Sequence, residues 1–416
     1  MSTRAVVGIA VLGVLAASGA ASATSTTSTT TTSSANPAQG SVVRGVTPTT
    51  IKVEGIGDAL LFGSADVGAK ARFARENAAG GVNGRTIDYV GMRDDQGIGV
   101  SDEQVGAQLV EQDQVFAVVP VVTPDLGAGS VFAEQKVPYF GWAVSSNFCG
   151  NRYGFGFSGC VLPPGGRVTS DAWGRLVKTA IGPQVPNPTA VILAESTPSG
   201  RYMVGALTAA AKSAGLSVVA AVSYLPVPPV GDYGALAKGV MGANQGKPPD
   251  AVFVAGSYSN VALMKRALRD AGFAGVFTDN IEYDPDLVAA ASTSSVMLQT
   301  AALETAPTNP AVQQLINDVK AVAPDVPIDQ PVMAGYWAAD LFIAALKRAG
   351  KDLTVASLLK AANSSFTYRV PDTVGPTKFP TAHRAPTPCG TLVRSDGTAF
   401  TVQVPYTCGT VVPVKQ

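Results

Sequence analysis

The sequence predicts an α/β protein built on two doubly wound parallel sheets, and three observations carry the prediction. Short β-branched runs alternate with amphipathic helical patterns from Ile51 to Val119, and the alternation starts again at Thr189 and continues to Thr278. Pro-rich seams at Pro163-Pro164 and at Pro186 to Pro188 stand between the two series. The chain has 416 residues, enough for two or three domains at ~150 residues each.

The first segment addresses the compartment rather than the fold. Arg4 precedes an unbroken apolar run from Ala5 to Ala17, and Ala21-Ser22-Ala23 supplies a small-residue cleavage pattern, so residues 1–23 read as a secretory signal cut before Thr24. The apolar run is too short to cross a ~30 Å hydrocarbon core as a helix. An uncleaved anchor is the alternative, and a lipid anchor is disfavoured because no cysteine follows the run. The expected location is therefore extracytoplasmic, either periplasmic or at the cell surface and beyond. Thr24 to Ser34 is almost pure Thr and Ser, so residues 24–41 read as a disordered tether with nothing to bury. Its composition also suits O-glycosylation, and the structured chain is expected from Val42 onward.

A strand ending at Val53 to Ile56 leads into a helix over Asp66 to Ala78, where Val67, Ala71, Ala74 and Ala78 share one face and Gly80-Gly81 stops it. Asn83-Gly84 turns the chain into a strand over Thr86 to Val90. Ser101 and Gln104 have the spacing of a capping box for a helix reaching Gln112, and Val115 to Val119 is the third strand. The second series has strands at Thr189–Ala194, Ser217–Val222, Ala251–Ala255 and Val276–Thr278. Between them lie helices over Gly200–Ala214, up to Ala243, and over Asn260–Ala271, with Gly215 and Gly272 as stops. Long helical patterns cover Pro310–Ala323 and Val332–Ala349, and Asp396-Gly397 between two short strands reads as a β-hairpin.

Composition excludes several function classes. Thirty basic residues balance thirty acidic ones and only 14% of the chain is charged, which leaves no electrostatic footprint for nucleic acid or an anionic membrane. The four cysteines form two near-neighbour pairs, and in an exported chain the sequential bridges Cys149–Cys160 and Cys389–Cys408 are expected among the three possible pairings. Zinc is disfavoured, because C-x-x-C spacing and nearby histidines are missing. The one histidine, His383, has no G-x-S-x-G partner motif and reads as structural or surface. Gly154 to Gly159 matches G-x-G-x-x-G in form only, since no strand precedes it and no helix follows. Gly242 to Lys247 lacks the spacing and the Ser/Thr of a phosphate loop. These readings predict no enzyme, no cofactor and no metal.

Particular runs carry a family resemblance. Ile51-Lys52-Val53, then Glu76 to Arg85 (ENAAGGVNGR), then Asp94-Asp95-Gln96, resemble the N-terminal lobe of the branched-chain amino-acid-type substrate-binding proteins of ABC transporters. Val115 to Val119, Val131 to Glu134 and Val137-Pro138 continue the likeness. Asp270 to Phe273, Tyr283 to Leu287 and Gly335 to Asp340 extend it in the same order. The resemblance covers roughly Val46 to Tyr406 and implies a type I periplasmic-binding fold, two Rossmann-like lobes joined by a three-crossover hinge. It places crossings near Pro163–Arg167, Ser292–Thr300 and Pro386–Thr391. The lobes are then residues 42–165 with 300–386, and 166–299 with 387–416. The resemblance further implies a monomer that captures a small amino-acid-like or carboxylate-bearing ligand between its lobes and delivers it to an ABC permease. The alternative is a sensory or scavenging domain of the same fold with a signalling or surface partner.

In open α/β sheets ligands bind beyond the carboxyl ends of the strands, which selects Val121–Pro124, Gly141–Ser146, Glu195–Ser199, Gly256–Tyr258 and Asp279–Glu282. In the first lobe Thr123 and Ser145, with the Ala143 backbone, are expected to hold a carboxylate, as the resemblance implies. In the second lobe Asp279 or Glu282 is expected to meet an ammonium, with Asn280 as the alternative occupant of that position. Trp142 and Tyr258 are expected to close on the ligand body. Ser199 stands before Gly200 where the family often has an aromatic, so this wall of the pocket departs from the pattern.

Overall fold

The computed structural model describes residues 43–96, 99–124, 126–161, 163 and 167–414. The signal segment and the tether therefore lie outside the described residues, as does most of the expected first crossing.

The first sheet has five parallel strands in the order β2-β1-β3-β4-β5. They are β1 (Thr50–Gly57), β2 (Thr86–Asp94), β3 (Ala117–Val122), β4 (Tyr139–Gly141) and β5 (Gly154–Gly156). Helices α1 (Ala59–Phe62), α2 (Ala65–Ala78), α3 (Gly99–Glu111) and α4 (Ala128–Glu134) connect them. β3 is buried at every position, as expected of a central parallel strand covered on both faces. Two sequence expectations shift here. α3 opens at Gly99, so Ser101 lies inside its first turn rather than at its N-cap. β3 runs on to Val122, so Val121 and Val122 belong to the sheet and not to a ligand loop.

The second sheet has the order β15-β14-β11-β10-β9-β7-β8. After β6 (Val168–Ser170) and α5 (Ala172–Ile181) come β7 (Thr189–Glu195), α6 (Pro198–Ser213), β8 (Ser217–Leu225) and α7 (Tyr233–Met241). β9 (Ala251–Ala255), α8 (Tyr258–Asp270), β10 (Val276–Asp279) and β11 (Ser294–Leu298) complete the parallel part. The chain then returns to the first sheet as α9 (Pro310–Val322), α10 (Gln330–Ala349), α11 (Val355–Asn363) and the hairpin β12 (Phe366–Val370) and β13 (Val374–Phe379). It ends with β14 (Cys389–Ser395), β15 (Phe400–Cys408) and β16 (Val411–Pro413). β14 and β15 form the expected hairpin and add to β11 antiparallel, which makes the second sheet mixed.

Each sheet is covered on both faces, and the buried apolar side chains divide accordingly. α2 packs against α9 and α10 over one face of the first sheet, around Phe73, Phe140 and Phe342. α2 and α10 cross so closely that a Cβ on Gly68 would meet Val332 O at 1.9 Å, and one on Gly335 would meet Ala65 O at 1.9 Å. α3 and α4 cover the other face around Phe132 and Tyr139. In the second sheet Trp173 and Leu176 of α5 and Leu207 of α6 fill one side, and Tyr233 of α7 and Met264 of α8 the other. The first core also reaches the waist of the molecule, through Tyr283, Val296, Leu298, Val393 and Phe400.

Both expected disulfides are present, Cys149–Cys160 and Cys389–Cys408. His383 is core rather than surface: its ring packs on Phe155 and Phe379, and Nε2 lies 2.6 Å from Asn363 Oδ1. The Asn363 amide nitrogen donates to the Leu359 and Arg152 carbonyls, so its oxygen accepts and His383 Nε2 carries the proton. Burial, with the nearby Arg384 charge and against the Gly154 backbone, lowers the His383 pKa to about 4.

Candidate functional site

The carboxyl ends of the two sheets meet through a side-chain hydrogen bond. Trp142 directly follows β4, Gln299 directly follows β11, and the indole Nε1 donates to Gln299 Oε1 at 2.5 Å. Trp142 is only 8% exposed and takes Phe62 edge-on at 6.2 Å between ring centroids. Phe62 closes the short helix α1, so α1 lies over the carboxyl ends of β1 and β4. Tyr258 opens α8 just beyond β9 and is 39% exposed. Burial, with the charges of Glu282 and Asp284, holds its phenol above the ordinary pKa.

The remaining candidates on the first lobe sit inside the fold. Thr123 directly follows β3 and has no exposed surface. The Ala143 N–H donates to Ser158 Oγ at 3.2 Å, so the backbone donor expected for a carboxylate is already engaged. Ser145 Oγ accepts from the N–H groups of Leu126 and Asn147, both at 3.3 Å, and is 2% exposed. It acts as a cap.

The second lobe corrects the expectation of an acid waiting for an ammonium. Glu282 has no exposed surface, and Lys265 Nζ reaches both of its carboxylate oxygens at 2.7 Å. Ser294 Oγ donates to Oε2 at 2.5 Å, so the carboxylate is satisfied within the lobe. Asp279, equally buried, accepts at Oδ1 from the N–H groups of Ile281 and Glu282, both at 3.0 Å. Burial first, and then the Glu282 charge, pushes its pKa up to about 8. Its other oxygen, Oδ2, is buried without a hydrogen bond. Asp279 is thus the floor of a turn. The side chains presented between these two acids are Asn280 and Ile281, both half-buried. Ser199 lies exposed in the first turn of α6, where Thr197 is the cap.

Glu195 opens the strand-end segment Glu195–Ser199, but strand-end reasoning assigns it no role. It ends β7 and accepts at Oε1 from Ser257 N–H (2.7 Å), Ser257 Oγ (2.6 Å) and Asn260 Nδ2 (2.7 Å), which fixes the start of α8. Its place at a strand end is visible in the sequence; the partners are not, because Ser257 and Asn260 lie more than sixty residues away. Among the described residues, no group of three or more His, Cys, Asp or Glu side chains could hold a metal ion.

Two α/β lobes, the chain passing between their sheets after β5, β11 and β13, with aromatic side chains at the converging strand ends, define a two-lobed solute receptor of the type I periplasmic-binding fold. The chain belongs to the periplasmic binding protein family, whose model matches residues 54–399. Comparison with curated protein sequences gives no match. Solved structures of similar fold include a fatty acid ABC transporter substrate-binding protein from Thermomonospora curvata, 19% identical, with 88% of this chain and 94% of that one covered and a TM-score of 0.67. Another is the branched-chain amino acid transporter substrate-binding protein LivJ from Streptococcus pneumoniae, in complex with isoleucine: 17% identity, 86% and 100% coverage, TM-score 0.64. A third is an R. palustris ABC-transporter solute-binding protein in complex with 4-hydroxybenzoate: 17% identity, 86% and 97% coverage, TM-score 0.65. The family is one of small-molecule binding proteins rather than enzymes, and it implies an extracytoplasmic place. Among the described residues no helix is long and apolar enough to cross a membrane.

Proposed function

We propose that this chain is an exported receptor that captures a small amino-acid-like or carboxylate-bearing solute between its lobes and presents the closed form to an ABC permease. The lobes are residues 42–165 with 300–386, and 166–299 with 387–416. The observation that carries the reading is the convergence of strand ends at Trp142 and Gln299, because ligands of open α/β sheets bind beyond those ends. Tyr258, exposed at the corresponding end of β9, supplies a ring from the second lobe. Thr123, Ser145 and Ala143 act by shaping the first-lobe wall, and Ser199 and Asn280 line the second. The bound solutes of similar folds, isoleucine in one and 4-hydroxybenzoate in another, support a small organic acid as the cargo.

Ligand contacts made only when the lobes close shift the population toward the closed state. A thermal-shift screen of the mature chain against amino acids, aromatic acids, amides and short peptides tests capture. A ligand at a hundred times its Kd raises stability by about 2.7 kcal/mol. Silence across that panel would sink the reading. A permease gene beside this one supports delivery, and its absence favours the sensory or scavenging role.

A further inference from the structure

Three observations at the strand ends bear on what kind of solute fits. First, the acids of the second lobe are withdrawn: Asp279 and Glu282 have 0% exposure and are committed to a turn and to Lys265. Glu195 remains half-buried, but Oε1 serves three donors of α8, and its charge is set against that helix's N-terminal dipole.

Second, the starts of α1, α4 and α6 are capped by the chain's own oxygens, whereas α8 begins after Ser257 without a side-chain cap. Asp58 accepts from the Leu60 and Leu61 N–H groups (2.9 and 3.1 Å), Asp102 from Ala128 N–H (2.8 Å), and Thr197 from Gly200 N–H (2.9 Å). Apart from the α8 start, the donors an anionic head can meet at the converging strand ends are side-chain amides. Gln299 offers one: its amide oxygen is fixed by the Trp142 indole, which turns its NH2 group to other acceptors. Asn280 is a second, half-buried on the facing lobe.

Third, the first-lobe lip is apolar. Leu60 is 92% exposed and Leu61 58% exposed on α1, next to Phe62 and Trp142. Exposed leucines on a four-residue helix contribute nothing to the core, and their burial by a ligand body is favourable because it removes apolar area from water.

We propose that the cleft selects a monocarboxylate with an alkyl or aryl body and no ammonium group. The proposal rests on the receptor reading above and names its substrate class. Leu60 and Leu61 take the body, and Gln299 and Asn280 donate to the carboxylate. An α-ammonium finds no exposed acid on the Asp279–Glu282 turn, where both carboxylates have 0% exposure, so adding one to the ligand costs its hydration without return.

Matched pairs test this by calorimetry on the mature chain: 4-methylpentanoate against leucine, 3-phenylpropanoate against phenylalanine, and octanoate against 2-aminooctanoate. The expected result is that at least one des-amino acid binds at least about tenfold more tightly than its amino partner. The double variant Leu60→Ser, Leu61→Ser, altered only at exposed positions, should weaken that binding by at least about tenfold. Tighter binding of the amino members overturns the inference and leaves the receptor reading standing, with Glu195 as the acid involved. Unchanged affinity in the double variant also overturns it. No binding by any member, together with a silent wider screen, removes both readings.

Discussion

Replacing Lys265 by methionine keeps most of the side-chain volume and removes the charge that neutralises Glu282. In the native fold Lys265 Nζ lies 2.7 Å from both Glu282 oxygens and 2.5 Å from the Ala290 carbonyl. Its side chain is 9% exposed and that of Glu282 is 0% exposed. Without the ammonium, a fully buried carboxylate stands beside Asp279, which is itself buried with one oxygen unpaired. Breaking one side of a buried pair costs about 3–5 kcal/mol, most of it the desolvation of the remaining ion. Replacing both partners, Lys265→Met with Glu282→Met, removes the orphaned charge and leaves mainly the Ser294 hydroxyl without its acceptor, a cost of about 1–3 kcal/mol. Urea unfolding with unchanged m-values measures both variants. A single variant within about 1 kcal/mol of the wild type, or a double variant less stable than the single, would refute the argument that Glu282 is interior and structural.

Two other perturbations test the interior of the first lobe. His383 is held neutral with a folded pKa of about 4, below its unfolded value of about 6.5. The unfolded chain thus binds more protons between those values, and stability is present above pH 6.5 and is lost as pH falls toward 4, by about 3 kcal/mol. His383→Gln should remove that part of the acid dependence in unfolding free energies measured from about pH 4 to 7. An identical slope in the variant contradicts the assignment. Gly335→Ala places a methyl 1.9 Å from Ala65 O where α2 and α10 cross, and overpacking of this kind costs about 1–3 kcal/mol. A thermal midpoint equal to that of the wild type would show that the helices can separate freely.

Much of the scaffold is legible from local pattern. The helix over Ala65–Ala78 and the long helix over Gln330–Ala349 show 3.6-residue periodicity with clear stops, and each falls within two residues of its expected bounds. β3 reads short in the sequence because Pro120 interrupts the apolar run, yet the strand continues to Val122. α11 and the β12–β13 hairpin are not found from sequence; they join the core through long-range packing, α11 beside α10 and Phe379 of β13 against Phe155 of β5, which no local pattern records. The site is less legible than the scaffold, for a physical reason. Sequence places Asp279 and Glu282 at a strand end but cannot say which way a carboxylate turns. That direction is decided by Lys265, on the helix preceding β10, and by Ser294, on the strand that follows.

In the proposed receptor, closure of the lobes would have to leave their cores intact, and the distribution of apolar contacts is compatible with that. The clusters beneath α3 and α4, α5 and α6, and α7 and α8 are each confined to one sheet. The cluster around α2 and α10 extends into the waist, through Val296, Leu298 and Val393 on the strands at the crossings. On that reading, a rotation about those strands would move each covered sheet as a body, and the side chains that change neighbours would be those at the rims. Among the exposed apolar side chains on the rims are Leu60 and Leu61 of α1 on one lobe, and Tyr258 of α8 on the other. The area that would drive closure in the proposed receptor is thus the apolar area a ligand brings together with those rims, while the buried acids of the second lobe are satisfied within it.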